Sequence, residues 1–388
     1  MNIASLKTAF CEKFGEGGTL FAFASPGRVN LIGEHTDYNG GFVFPAAITL
    51  GTTIIARKRQ DKILRMCATD LDVMVEADLA TPDAYKTLDW GNYQVGVAAE
   101  LMKDGIDVCG ADLLFHDTTP HGGGLSSSAA IEVATALCLY YLSVGEMPDM
   151  AKMAVIGQRA ENNYVGVNCG IMDQFASAMG KRDHAIFLDC KDLSYDTVPL
   201  SLGSVRIVIA NTNKKRSLVT SKYNERRAEC EEALSDLKKA LPSLSYLGTL
   251  SPEDFSKHAH LIENPIARKR AQHVVEECDR VHKSVSALQK GDLALFGQLM
   301  NASHASLRDL YEVTGPELDA LADAAQHEPG CLGARMTGAG FGGSTVSLVE
   351  GSFVDAFCEN VARIYTEKIG YAPSFYVTDA GDGGRILE

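Results

Sequence analysis

The hydrophobic pattern divides the chain into a mixed part and a helical part. Up to about residue 200, short apolar runs typical of strands alternate with segments of helical periodicity. From Lys222 to Gln326 the pattern is almost entirely helical, and strand patterns return at 333–349 and 374–378. This order predicts an α+β protein with a domain boundary near residue 200.

Most of the predicted strands lie in the first 210 residues. The predicted helices there are 1–16, 93–104, 129–142 and 149–162, and the predicted strands are 20–25, 49–59, 63–67, 111–116, 185–189 and 205–210. Residues 28–41, between the first two strands, are polar and glycine-bracketed, and we expect them to form a loop.

The segment Pro120–Ala130 combines three consecutive glycines with three consecutive serines and leads into a predicted helix. Glycines let an anion approach the backbone, and a helix N-terminus presents unpaired N–H groups, so the segment is suited to a phosphate. A serine hydroxyl of this loop can also coordinate Mg²⁺. The simpler alternative is a serine N-cap after a glycine linker.

Two better-known nucleotide motifs do not fit the chain. The glycine loop has no lysine at the Walker A spacing. Residues Gly338–Gly343 satisfy the spacing G-x-G-x-x-G, but Ser344–Val349 is β-branched and alternating, whereas a dinucleotide fold requires a helix there. We therefore predict strand, glycine-rich turn and strand over 334–349, and an ordinary hairpin is its simplest interpretation.

A short polar stretch after the first strand is a candidate sugar site. Arg28, Glu34, His35 and Asp37 lie within ten residues bracketed by glycines. Carboxylates accept hydrogen bonds from sugar hydroxyls, and imidazole can donate or accept, so these side chains suit a polyhydroxylated ligand. A metal site on the last three residues and a solvated surface loop remain as alternatives.

Two more acidic residues are candidates for chemistry. Asp173 lies in the mostly apolar stretch 169–176, where a carboxylate can act as a base or orient a substrate. The alternative is an aspartate that only stabilises a helix start. Glu161 lies near the end of a predicted helix and becomes a metal ligand only if a phosphate and Mg²⁺ are bound nearby. Otherwise it is a solvated helix residue.

Composition excludes several classes of function. The 388 residues are 46% hydrophobic and 22% charged, which predicts a globular chain of about two domains. A net charge of −14 argues against a nucleic-acid or anionic-membrane surface. The ten cysteines occur singly, as in a reduced cytoplasmic protein, and no signal peptide or membrane span is predicted.

Three stretches together resemble the motifs of the small-molecule kinase superfamily that includes galactokinase, homoserine kinase, mevalonate kinase and phosphomevalonate kinase. They are Gly27–Phe42, Gly122–Ala130 and Gly333–Ser344. The first, reading Gly-Arg-Val-Asn-Leu-Ile-Gly-Glu-His-Thr-Asp-Tyr, is similar to the galactokinase branch in particular. Because all three occur in order, the resemblance covers essentially the whole chain.

The resemblance implies a kinase fold of two domains, residues 1–200 and 201–373, with mixed sheets and helices and the active site between them. A last strand within 374–388 is expected to return to the first domain. The resemblance also implies a monomer.

Roles for individual residues follow from the same resemblance. Asp173 is the expected base near the C1 hydroxyl of the sugar, and Arg28 is expected to stabilise it and the charge in transfer. The other implied sites are the sugar pocket of Glu34, His35, Asp37, Gly170 and Tyr223; the nucleotide loop of Gly122, Gly123, Gly124, Leu125, Ser126, Ser127 and Ser128; and the Mg²⁺ ligands Ser127 and Glu161.

The implied reaction is transfer of the γ-phosphoryl group of ATP, with Mg²⁺, to the C1 hydroxyl of α-D-galactose, giving galactose 1-phosphate and ADP. Two alternatives remain open. A kinase for N-acetylgalactosamine would keep all three motifs. A non-catalytic sensor of galactose and ATP would lack a pair of residues of the second motif, whereas Ser126–Ala130 is intact here, which favours catalysis.

Overall fold

The computed structural model describes residues 1–120, 123–214 and 219–388. Its α-helices are α1 Ile3–Phe14, α2 Asn92–Lys103, α3 Ser127–Val144, α4 Met150–Arg159, α5 Met172–Met179, α6 Val219–Lys238, α7 Pro252–His258, α8 Pro265–Gln289, α9 Leu293–Ser306, α10 Gly315–Gln326 and α11 Val354–Ile369. Its strands are β1 Phe21–Asn30, β2 Phe42–Val43, β3 Pro45–Lys58, β4 Ile63–Ala68, β5 Leu71–Asp78, β6 Ala111–Asp117, β7 His184–Asp189, β8 Tyr195–Pro199, β9 Val205–Asn211, β10 Cys331–Thr337, β11 Ser344–Glu350, β12 Ser374–Thr378 and β13 Arg385–Ile386.

Within the described residues the strands form three sheets. The largest has six strands in the order β13-β1-β3-β6-β4-β5, antiparallel except for the parallel pair β4–β6. A four-stranded sheet has the order β10-β11-β9-β12, and a three-stranded sheet has the order β2-β7-β8. Together with the helices, these sheets confirm the predicted α+β class.

β1 extends further than the sequence predicts. The predicted strand ends at residue 25, whereas β1 continues to Asn30 after a register shift between Pro26 and Arg28. The strand continues because Val29 packs into the core, the Arg28 side chain pairs with Asp173 and the Asn30 backbone pairs with Thr337. As a result Arg28 lies on a strand and not on a loop.

The C-terminal residues contribute to both of the larger sheets. β12 pairs with β9, so that Val377 lies opposite Val208. β13 pairs with β1, with Ile386 opposite Phe23. The stretch 374–388, treated as a single returning strand in the sequence, is therefore two strands, and only the second of them pairs with β1.

The largest apolar cluster lies between the six-stranded sheet and helices α2, α3 and α4. Among the described residues, α3 is long and apolar enough to cross a membrane by length and composition. However, 61% of it is buried inside the protein. Burial in this core explains the apolar composition of α3.

A second apolar cluster joins the end of β1 to the four-stranded sheet and to α8 and α9. At this junction the Asn30 N–H donates to Thr337 Oγ1 at 3.0 Å, and the Thr337 hydroxyl donates to the Asn30 carbonyl at 3.1 Å. The ends of β1 and β10 are thereby held together. The first and third motif stretches, about 300 residues apart in sequence, become neighbours in space.

Candidate active site

One cavity of about 280 Å³ is lined by residues from all three motif stretches and from α5. Its lining residues are Arg28, Glu34, His35, Asp37, Gly124, Leu125, Ser126, Ser127, Ser128, Glu161, Val167, Cys169, Gly170, Met172, Asp173, Tyr223, Gly338 and Ala339. Of the residues predicted from the sequence, Gly122 lies outside the described residues. Gly123 belongs to the same loop, and its carbonyl accepts a hydrogen bond from the Ser344 hydroxyl at 2.5 Å. All the others line the cavity.

Arg28 and Asp173 form a bidentate ion pair in the lining of this cavity. Arg28 Nε and Nη2 donate to the two carboxylate oxygens of Asp173 at 2.7 and 2.8 Å. The remaining nitrogen, Nη1, donates to the Gly124 carbonyl at 2.8 Å. Asp173 lies in the first turn of α5, where the helix dipole favours a carboxylate. One arginine therefore fixes the carboxylate of α5 against the glycine loop.

Ser126 connects the glycine loop to α3 in an unusual conformation. Its φ of 60° lies in the left-handed region, which a non-glycine residue rarely adopts. Its side chain does not cap α3 but donates to Asp173 Oδ2 at 2.5 Å. The strain thus directs the Ser126 hydroxyl at the same carboxylate that Arg28 holds.

Glu34 is buried beside the third motif. Its Oε1 accepts from the Gly338 N–H at 2.7 Å and from Arg335 Nη1 at 3.4 Å. Burial raises the pKa of Glu34, and the charges of Arg335 and Arg28 oppose that rise. Gly338 has φ +85°, and a Cβ there would lie 3.0 Å from the Gly124 carbonyl oxygen. A glycine is therefore required where the third motif approaches both Glu34 and the glycine loop.

His35 presents a buried ring nitrogen without a partner. Its Nδ1 lies 2.8 Å from the Tyr38 hydroxyl, whereas its Nε2 has no hydrogen-bond partner among the described residues. Burial lowers the pKa of His35 to about 3, so the ring is neutral at neutral pH. A buried polar atom of this kind in a cavity wall is a candidate ligand contact.

Asp37, Gly170 and Tyr223 form the adjoining part of the wall. A Cβ at Gly170 would lie 1.8 Å from Asp37 Oδ2, so only glycine allows this approach. Burial raises the pKa of Asp37 to about 7, and the nearby charge of Asp173 adds to that rise. The Tyr223 ring, from α6, lies 5.8 Å from the His35 ring. The three residues are thus close to both His35 and Asp173.

A second wall of the cavity contains Glu161, and a buried amide joins Glu161 to Glu132 behind it. Glu161 lies in a π-helical turn, Ala160–Val165, that continues α4. Gln174 Nε2 donates to Glu161 Oε2 at 2.8 Å and to Glu132 Oε2 at 2.9 Å. The Ser128 hydroxyl lies near Glu161 and acts to lower the pKa of its carboxyl. Burial raises the pKa of Glu161 to about 7, with the charge of Asp173 adding to it.

The oxygen donors on this wall suit Mg²⁺ only together with further ligands. A carboxylate and a serine hydroxyl are hard oxygen ligands of the kind Mg²⁺ takes beside substrate phosphates. In residues 1–120, 123–214 and 219–388, no group of three or more His, Cys, Asp or Glu side chains is placed to hold a metal ion. The site therefore fits a magnesium that is bound largely by phosphate oxygens, and the alternative metal site on Glu34, His35 and Asp37 is not formed.

Sequence reasoning missed several residues that shape the cavity. Tyr38 and Arg335 lie inside the first and third motifs, and this position in the sequence could have indicated that they lie near the cavity. Glu132 lies on the apolar face of α3, where a charged residue is itself unusual. Tyr311 packs 4.7 Å from the His35 ring, but nothing in its local sequence indicates that contact.

Comparison with known proteins first identifies the class. Residues 92–181 match the GHMP kinases N terminal domain, and residues 284–365 match the GHMP kinases C terminal domain. The fold resembles that of Methanococcus jannaschii mevalonate kinase with a TM-score of 0.64 at 18% identity, covering 94% of this chain and 99% of that one. The fold and the three motifs around one cavity define a GHMP kinase.

Closer relatives identify the family. Residues 8–58 match the galactokinase galactose-binding signature. Galactokinase from Enterococcus faecalis is 51% identical over 385 residues, covering 98% of this chain and 99% of its own. Galactokinase from Fusobacterium nucleatum is 50% identical, covering 97% and 98%. The structure of Lactococcus lactis galactokinase complexed with galactose matches with a TM-score of 0.96 at 45% identity, covering 99% of this chain and 100% of that one. The chain belongs to the galactokinase family.

Proposed function

We propose that this protein transfers the γ-phosphoryl group of ATP to the C1 hydroxyl of α-D-galactose, giving galactose 1-phosphate and ADP. The observation that carries the proposal is the Arg28–Asp173 ion pair, because it joins the wall of Glu34, His35 and Asp37 to the glycine loop. An acceptor hydroxyl and a phosphoryl donor must meet at one point, and this wall and the glycine loop meet at Asp173. The galactose in the complex of the Lactococcus lactis enzyme supports the choice of sugar.

The sugar is proposed to bind against Glu34, His35 and Asp37, with Gly170 and Tyr223 completing the pocket. Carboxylates accept from hydroxyls, and a neutral imidazole offers one donor and one acceptor. These groups are largely buried, so a hydroxyl of the wrong orientation leaves one of them unpaired at a cost of about 1–3 kcal/mol. This wall is therefore proposed to discriminate between hydroxyl epimers.

In the transfer step, a bond forms between the C1 oxygen and the γ-phosphorus as the bond from that phosphorus to the ADP oxygen breaks. Asp173 orients the hydroxyl and accepts its proton as the new bond forms. Because the transition state of phosphoryl transfer is loose, positioning of the two reactants contributes more than early proton removal. Arg28 offsets the negative charge that gathers between the phosphoryl oxygens and Asp173.

The ATP phosphates are proposed to bind the loop Gly122–Ser128 and the N-terminus of α3 through backbone N–H groups. When bound, Mg²⁺ supplies charge neutralisation at the phosphates, and Glu161 with a loop serine would hold it. Ser127 is the serine expected from the sequence. Ser128 is a second candidate, because its hydroxyl acts to lower the pKa of Glu161.

We also propose that residues 1–200 and 201–373 are separate domains. The six-stranded sheet uses strands up to Asp117 together with Arg385–Ile386, and the four-stranded sheet uses strands from Val205 to Thr378. This separation of the sheets supports the division, except that β12, beyond residue 373, belongs to the sheet of the second domain. With this division, both domains contribute residues to the cavity, and Tyr223 and Gly338 come from the second domain.

The test is ADP release with Mg-ATP and a panel of galactose, glucose, 2-deoxygalactose, N-acetylgalactosamine and mevalonate. Asp173→Asn removes the carboxylate charge with little change of shape, and it is expected to lower galactose turnover about 10³-fold. Asp254→Asn, an exposed aspartate on α7, is the matched control and should keep full activity.

Three results would contradict the proposal. Turnover with N-acetylgalactosamine in place of galactose would assign the chain to that neighbouring kinase activity. Binding of galactose and ATP without ADP release would indicate a sensor. Full activity of Asp173→Asn would remove Asp173 from the mechanism.

A further inference from the structure

A chain of side-chain hydroxyls lies behind His35. His35 Nδ1 lies 2.8 Å from the Tyr38 hydroxyl, and that oxygen lies 2.8 Å from the Tyr311 hydroxyl. The Tyr311 hydroxyl in turn lies 3.1 Å from Cys230 Sγ. The chain approaches the imidazole from one side only, because the other ring nitrogen, Nε2, has no partner among the described residues.

Tyr311 is held rigidly in this chain. It is fully buried, and its ring lies 4.7 Å from the His35 ring and 4.6 Å from the His273 ring. It ends a π-helical turn, Leu307–Tyr311, a distortion that often occurs at functional sites. Its carbonyl accepts from Arg226 Nε at 2.8 Å. Neither the ring nor the backbone of Tyr311 is free to follow a movement of His35.

The surroundings of the ring favour one tautomer of His35. A neutral imidazole carries its proton on one nitrogen, and the partner of the other nitrogen decides which. The buried Cys230 thiol keeps its proton and can donate it to Tyr311, so that Tyr311 donates to Tyr38 and Tyr38 donates to His35 Nδ1. With Nδ1 accepting from Tyr38, the nitrogen that carries the proton is Nε2.

We infer that Tyr38 and Tyr311 are positioning residues that hold His35 with Nδ1 accepting from Tyr38 and the Nε2–H directed at a sugar hydroxyl. The inference rests on the proposed function for the identity of the ligand. A fixed tautomer gives the wall one donor beside the acceptors Glu34 and Asp37. A sugar oxygen is then recognised only where it can accept.

The first test removes each hydroxyl and keeps each ring. Tyr38→Phe and Tyr311→Phe are each expected to raise the galactose Kd about 10-fold, measured by calorimetry, with the ATP Kd unchanged. The double variant should lose about as much galactose affinity as the more affected single variant, because both hydroxyls act through one hydrogen-bonded chain. Tyr365→Phe is the matched control, since Tyr365 is also fully buried and its hydroxyl donates to the Thr212 carbonyl.

The second test reads the tautomer without any ligand. In protein labelled with ¹⁵N-histidine, His35 of the wild type should show a protonated Nε2 and an unprotonated Nδ1, and Tyr38→Phe should show a mixture. The signals are assigned by their loss in His35→Asn. A purely structural role of Tyr38 would lower the thermal midpoint but leave the tautomer unchanged.

A protonated Nδ1 in the wild type would overturn the inference, as would Tyr38→Phe with unchanged galactose affinity and a single tautomer. Loss of ATP affinity equal to the loss of galactose affinity would also overturn it, because it would indicate general damage. If the wild type does not bind galactose but His35 shows the expected tautomer, the proposed sugar is wrong and the positioning role stands.

Discussion

Two fully buried glutamates, one behind each wall of the cavity, have opposite pKa shifts. Glu277 on α8 supports the wall of Glu34 and His35, and Glu132 on α3 lies behind the glycine loop; both are 0% exposed. Burial acts to raise the pKa of both. For Glu277 burial is the largest single effect, but Arg280, His273, Arg335 and the Ser303 hydrogen bond together outweigh it and bring the pKa down to about 2. For Glu132 the charge of Glu161 adds to burial, and the pKa lies well above its usual range.

The partners of the two carboxylates explain the difference. Glu277 Oε2 accepts from Arg280 Nε at 2.7 Å, and its Oε1 accepts from the Gly33 N–H at 3.0 Å and the Ser303 hydroxyl at 2.5 Å. Glu132 Oε2 accepts from Gln174 Nε2 at 2.9 Å, and its Oε1 has no partner among the described residues. Burial alone therefore does not decide whether a carboxylate is charged, since the number and charge of its donors do.

This contrast separates the roles of the two walls. The wall proposed for the sugar is held by charge pairs inside the protein, so its geometry is set by the fold. The wall proposed for the phosphates holds carboxylates around a neutral amide, an arrangement suited to a divalent cation. We therefore expect Mg²⁺ to affect the wall proposed for the phosphates strongly and the wall proposed for the sugar little.

The largest effect is expected from Glu277→Gln. The variant removes the close carboxylate partner of the largely buried Arg280 and leaves it only Glu276, 3.5 Å away, so the free energy of unfolding should fall by about 3 kcal/mol at pH 7. The folded pKa lies below the ordinary value of 4.5, so the contribution of Glu277 is present above pH 4.5 and is lost as the pH falls towards 2. The difference from the wild type, measured by urea unfolding, should shrink in that range.

Glu276→Gln is the control for this prediction. Glu276 is the preceding residue on α8 and pairs with the same arginine, but its side chain is 37% exposed. Its replacement should change stability by less than about 0.5 kcal/mol. Equal effects of the two variants would contradict the special role assigned to Glu277.

A smaller effect of opposite sign is expected from Glu132→Gln. Because the folded pKa is raised, the contribution of Glu132 to stability is full below pH 4.5 and is lost as the pH rises towards the folded pKa. Glutamine resembles the protonated side chain at every pH. The variant should match the wild type at pH 4 and exceed it by about 1 kcal/mol at pH 8.

Unfolding by urea at both pH values measures this difference, with Glu146→Gln, an exposed residue just beyond α3, as control. A gain in stability that does not grow with pH would show that Glu132 is charged in the folded protein. The contrast between the two walls would then be lost.

The parts of the fold that the sequence predicts are those with strong local patterns. The helix over 129–142 and the strand–turn–strand over 334–349 are confirmed, as α3 and as β10 with β11. β5 was missed because it is an edge strand in which most side chains are exposed, so its alternation is weak. α11 was also missed, although its pattern is amphipathic.

The same distinction holds for the cavity. Arg28, Glu34 and Asp173 lie in short stretches of unusual composition, and the sequence could indicate them. Glu277 and Tyr311 lie in helical segments that read as ordinary amphipathic helices. Their importance depends on packing against residues more than 240 positions away, which periodicity does not encode.

The smallest effect is expected at the loop serines, where sequence and structure favour different residues. Ser127 is the magnesium ligand expected from the sequence, whereas Ser128 is the serine whose hydroxyl acts to lower the pKa of Glu161. Loss of one oxygen ligand should weaken Mg²⁺ binding about 10-fold. If Ser128 is the ligand, Ser128→Ala should raise the Mg²⁺ concentration needed for half-maximal ADP release by that factor. The galactose affinity should stay unchanged, and Ser127→Ala should have less effect. The reverse order would make Ser127 the ligand and would mean that the side chains of this wall rearrange when the nucleotide binds, unlike those of the wall that Glu277 supports.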